Sequence, residues 1–165
     1  AGNDYSIGTW KRIKNDEPII GTNTTDKYYK ASAMLHMIRQ VIGDSLFRGL
    51  LTGLNKKFYH QTVNTSQILS FLNSYTRKDF TKMFDQYLKS IQIPKFSYSF
   101  QDNIFKYRWE NCIEGFSMPV KISFDGKSNE FIFPSTQWQT SKVSTTNTKN
   151  FQIDRNFYIT ISENK

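Results

Sequence analysis

Cysteine is almost missing from this chain. Cys112 is the only one in 165 residues, which excludes an internal disulfide and leaves the redox compartment open. Its setting, "ENCIEGF", has no histidine nearby and reads as a small buried apolar residue rather than a nucleophile. Histidine is nearly as scarce. His36 lies inside "MLHMIRQ" without a partner one helical turn on, and His60 lies in "FYHQTV"; with one cysteine besides, they cannot assemble a zinc site. The eight glycines are scattered and form neither GxGxxG nor GxxxxGK[ST], so no phosphate-cradling loop is present. No apolar run approaches the roughly 20 residues of a membrane-spanning helix, so no membrane span is expected.

What is there is a composition suited to a packed core, 38% hydrophobic, with a net charge of +8. Such a charge invites a nucleic-acid partner. Its distribution argues against one: residues 1–93 hold 13 Lys/Arg against 7 Asp/Glu, and residues 94–165 hold 9 against 7. Beyond "KRIK" at 11–14 the basic residues come singly or in pairs, whereas phosphate affinity needs them clustered. No nucleic-acid partner is therefore expected, and a solvated basic face is the plainer reading.

The chain changes character near Ile93-Pro94. Before it, apolar residues recur at helical spacing. Ala31, Met34, Leu35, Ile38, Val41 and Ile42 share one face of a first helix that Gly43 stops. Asp44 or Ser45 can cap a second, with Phe47, Leu50, Leu51 and Leu54 as its stripe. Thr65 caps a third with Ile68, Leu69 and Leu72, and Asp79 begins a fourth with Phe80, Met83, Phe84 and Leu88. Short connections imply antiparallel neighbours.

After Pro94 alternation takes over. Phe96, Tyr98 and Phe100 alternate with serines; Phe105, Tyr107 and Trp109 alternate with Lys106 and Arg108. Met118, Val120, Ile122 and Phe124 follow, then an Asp125-Gly126 turn, Phe131–Phe133, and a last pair around Phe151–Ile153 and Phe157–Ile161. The Ser/Thr/Asn-rich stretch 141–150 reads as a loop. The expected fold is α+β: an opening segment and a lobe of about four helices over 1–93, then a small antiparallel, Ig-like β-sandwich of about seven strands over 94–165. Residues 1–25 have no periodicity and no core of their own, and "AGNDYSIGTW" has neither the basic start nor the apolar stretch of a signal peptide. The expectation is a piece of a longer parent, with something upstream of it.

Three stretches carry a resemblance. "DKYYKASAMLHMIRQVIGDSLFRGLL" resembles the segment of aminopeptidase N-type zinc peptidases, the gluzincins, in which a YxKG motif opens an apolar helix. "FYHQTVNTSQILSFLNSYTRKDFTKMFDQYLKSIQIP" is similar to the helices that follow in the family, and "YRWENCIEGFSMPVKI" to the β-domain of its bacterial members. The likeness runs from about Asn15 to Tyr158. In the family, zinc is held by HExxH and a downstream Glu, all N-terminal to YxKG. This chain has no HExxH, so the resemblance implies a piece that follows the zinc site: no metal ligands or cofactor here, zinc in the full-length parent.

The same resemblance puts Tyr28 at the family's catalytic tyrosine, whose phenol stabilises the oxyanion formed as water adds to the substrate carbonyl. Lys30 matches the motif lysine, and Ala31 stands where the family has Gly; Tyr29 is the alternative if the register differs by one. The implied function is peptide aminopeptidase activity in the parent, with the upstream zinc-binding region and the peptide substrate as partners. The piece alone would be inactive. Export of the parent, to periplasm or cell surface, is an expectation from the resemblance only. A different class, a non-enzymatic binding or scaffold module with a basic helical face, is the alternative.

Overall fold

The computed structural model describes residues 25–143 and 150–164, with side chains from Lys30 onward. Among these residues are four helices, α1 (Thr25–Ile42), α2 (Asp44–Lys57), α3 (Thr65–Thr76) and α4 (Thr81–Lys89), followed by seven strands. The strands are β1 (Lys95–Gln101), β2 (Ile104–Glu110), β3 (Val120–Ser123), β4 (Glu130–Ile132), β5 (Gln139–Lys142), β6 (Gln152–Ile153) and β7 (Thr160–Glu163). The expected α+β order, helices first and a small sandwich after, is the observed one. The opening segment and most of the 141–150 stretch lie outside the described residues; Ser141 and Lys142 belong to β5.

Gly43 separates α1 from α2 with a single residue at φ 82, a value glycine adopts without strain. Neither Asp44 nor Ser45 caps α2; the Asp44 carboxylate is instead gripped by both arms of Arg39 at 2.7 and 2.9 Å. On α3 the cap is Asn64, one residue earlier than expected, in a reciprocal capping box with Gln67. Helices α2 and α3 approach closely because α2 presents glycine. A Cβ on Gly49 would sit 2.5 Å from the Tyr75 hydroxyl, and one on Gly53 would sit 2.9 Å from the Phe71 ring.

The sandwich stacks a four-stranded sheet, β5-β2-β1-β7, on a three-stranded one, β4-β3-β6. Strands β1 and β2 form a two-residue hairpin whose Asp102 and Asn103 both have positive φ, which matches the twist of the strands. The register puts Phe96 opposite Trp109, Tyr98 opposite Tyr107 and Phe100 opposite Phe105, so one face is aromatic throughout. Strand β7 departs from the antiparallel expectation and runs parallel to β1. The buried apolar residues make one continuous cluster from Met34 and Met37 of α1, through Tyr87 of α4, to Phe96, Trp109 and Phe157. The sandwich is seated on α1 and α4: the Tyr87 hydroxyl donates to the Tyr158 carbonyl at 2.8 Å, and Lys121 donates to Gln40.

On the other face of the hairpin, Glu110 accepts from Lys95 at 2.6 Å, from Ser97 at 2.7 Å and from the Arg108 guanidinium. Lys95, then Ser97 and Arg108, hold its carboxyl at about 2 against an ordinary 4.5. The folded value is the lower one, so the stabilisation is full above pH 4.5 and is lost as pH falls toward 2. The side chain keeps 22% of its exposure, so water screens part of the effect. Glu110→Gln is expected to cost about 1–2 kcal/mol at pH 7. The gap between the urea unfolding midpoints of the two proteins should shrink as pH falls from 4.5 toward 2; a gap that stays constant over that range would assign the loss to shape rather than charge.

Candidate functional site

Tyr28 is the fourth residue of α1 and Tyr29 the fifth; their backbone is helical and their side chains lie outside the described ones. Lys30 is 4% exposed, and its Nζ donates to the Ser90 carbonyl at 3.0 Å. Ser90 closes α4, with φ −126 and ψ 143. Lys30, in the second turn of α1, thus ties that helix to the end of α4. Ala31, in place of the family's glycine, is half-buried in regular helix, where alanine is the most favourable residue.

The remaining chemistry-bearing residues do not converge. His36 is bonded to Asn156 at 2.9 Å and touches Gln40, linking α1 to the chain before β7. His60 is exposed at φ 54 with its ring against Tyr59. Cys112 is half-buried, and burial, with the Glu110 charge adding, pushes its thiol up, which keeps it protonated and unreactive. Among the described residues no three of His, Cys, Asp and Glu come together where a metal could bind. Several cations are paired at the surface: Arg39 with Asp44, Lys89 with Asp85, Lys95 and Arg108 with Glu110, and Lys82 with the Glu114 carbonyl.

A family model described as the peptidase family M1 domain matches residues 4–87, from the opening segment to the last turn of α4. The chain belongs to peptidase family M1. No curated protein matches it. Among solved structures it is similar to Legionella pneumophila aminopeptidase A, determined in complex with aspartic acid, with a TM-score of 0.68 and 11% identity. That likeness covers 96% of this chain, sandwich included, and 20% of that chain. The chain therefore spans about a fifth of the aminopeptidase it matches, and the likeness concerns fold. M1 peptidases use zinc as a family, yet the residues here do not fit a zinc site: the sequence has no HExxH, and its two histidines sit on separate elements. The family match covers α1, the helix that carries Tyr28, Tyr29 and Lys30.

The residues missed by sequence reasoning are those that fix this end of α1. The sequence marks Lys30 as a motif match but not as buried, and nothing in it singles out Ser90. The available signal was the motif lysine itself: a lysine on an otherwise apolar face needs a partner.

Proposed function

We propose that this chain is the part of a zinc-dependent aminopeptidase that follows the zinc site, roofs the peptide-binding cleft and contributes Tyr28 to the reaction. The observation that supports it most is the coincidence of the M1 match over 4–87 with a Tyr-x-Lys sequence at the N-terminal end of α1. A tyrosine phenol is neutral at pH 7 and a good donor on a rigid ring. Aimed at the carbonyl oxygen of the scissile bond, it stabilises negative charge that grows only as the transition state is reached. The zinc ligands, the attacking water and the peptide's N-terminal subsite belong in this reading to the preceding region of the parent. The sandwich packs against α1 and α4 and makes no chemical contact of its own. Against the alternative of a binding or scaffold module with a basic helical face, Arg39 and Lys89 of the helical lobe are each paired with a carboxylate.

The full-length parent is expected to release p-nitroaniline from aminoacyl p-nitroanilides, to stop when zinc is chelated and to recover when it is restored. The 165-residue chain alone is expected to be inactive and to hold well under one equivalent of zinc after dialysis, because a tetrahedral site needs four converging ligands. A parent without peptidase activity, or one tightly bound zinc per isolated chain, would refute the reading.

A further inference from the structure

A lysine taken out of water needs strong partners, since its charge is otherwise costly to bury. Lys30, at 4% exposure, meets the Ser90 carbonyl at the C-terminal end of α4. The Ser90 backbone is already extended, so its carbonyl has no intrahelical donor and is open to an ammonium. The corner that offers this carbonyl is itself held. The Ser90 hydroxyl accepts from the Gln92 N–H at 3.0 Å. Gln86, fully buried, donates to the Gln92 carbonyl at 2.8 Å and accepts from the Ile113 N–H at 2.7 Å. Asn111, in the turn after β2, donates to the Ile93 carbonyl at 2.9 Å. The sandwich thus braces the corner, and the corner receives Lys30.

We infer that Lys30 is a positioning residue for Tyr28: its bond to Ser90 sets where the N-terminal end of α1 lies, and so where the phenol two residues earlier is carried. The inference rests on the assignment of Tyr28 to the reaction given above. Lys30 need not touch substrate. It acts by holding one helical turn against a rigid corner, and a misplacement of about 1 Å at a reacting group is enough to cost on the order of 10²-fold in rate.

A double-mutant cycle in the full-length parent tests it, with kcat, KM and zinc content measured for wild type, Tyr28→Phe, Lys30→Met and the double variant. Lys30→Met is expected to lower kcat at least about 10-fold with KM nearly unchanged and zinc retained. In the Tyr28→Phe background the same change should cost less than about 3-fold, because the hydroxyl it positions is already gone. Equal costs in the two backgrounds, or a Lys30→Met enzyme with wild-type kcat, would overturn the positioning role while leaving Tyr28 in place. A Tyr28→Phe enzyme with full kcat would instead remove the Tyr28 assignment and this inference with it. Should Lys30→Met lose its cooperative melt, Lys30→Gln, which keeps a donor on a shorter stem, enters the same cycle under the same criteria.

Discussion

Tyr28→Phe in the full-length enzyme is expected to lower kcat by roughly 10²–10³-fold, or about 3–4 kcal/mol of transition-state stabilisation. The substitution keeps the ring, so packing and helix start are preserved and only one donor is removed. In the proposed reading that donor serves charge absent from the ground state, so KM should hardly move and kcat and kcat/KM should fall together. Zinc content should stay at the wild-type level, since the phenol is not a metal ligand in this reading. Tyr29→Phe, made alongside, fixes the register and should cost far less. An active parent whose Tyr28→Phe variant keeps near-full kcat would make Tyr28 a structural aromatic, and a large loss at Tyr29 instead would move the role by one residue.

The parts of the fold legible beforehand are those written in local periodicity. The four helices show because their apolar stripes recur every three to four residues, and the α1–α2 break shows because Gly43 is free to take φ 82. Within α1 the stripe was less faithful. Leu35, assigned to the packed face, is 42% exposed, while Met37 is fully buried. A face drawn from spacing alone cannot say which edge of the stripe meets a neighbour. The α3 cap moved by one residue, from Thr65 to Asn64, because Ser, Thr, Asn and Asp are nearly interchangeable in that role; α4 starts at Thr81, two residues after Asp79, whose carboxylate accepts from the Thr81 N–H at 2.8 Å.

The strands divide along the same line. Phe96, Tyr98 and Phe100 alternate with polar residues and were visible as β1. Strand β5, Gln-Thr-Ser-Lys, is a mostly exposed edge with no apolar alternation, and it exists through its ladder with β2. The parallel course of β7 beside β1 was equally hidden, since alternation states a strand's faces and not its direction. Of the candidate site, the tyrosine and lysine were legible through a motif. The contact of that lysine with Ser90, sixty residues away, was not, because only the closed fold brings α4's end to α1's beginning.

The largest loss of stability from one side chain is expected at Trp109. It is 1% exposed, lies opposite Phe96 across the hairpin, and meets the rings of Phe96 and Phe116 edge-on at 5.4 and 5.7 Å. Its indole N–H donates to the Met118 carbonyl at 3.1 Å, which ties β2 to the segment entering β3 and so joins the two sheets. Trp109→Ala removes that apolar contact, leaves a cavity the surrounding strands only partly close, and orphans a buried carbonyl. Together these should cost about 3–5 kcal/mol, a large share of the stability of a domain this size. Thermal and urea melts of the 165-residue chain, followed by circular dichroism, should show the midpoint falling by about 10–15 °C. Trp109→Phe should recover part of the loss, because it restores a ring but not the donor. Trp138, 42% exposed with the Arg108 guanidinium 4.5 Å over its ring, supplies the contrast: its alanine variant should cost under about 1 kcal/mol. Equal, small losses at the two tryptophans would mean that the sheets are not joined through Trp109, and that the sandwich braces the α4 corner less firmly than its geometry implies.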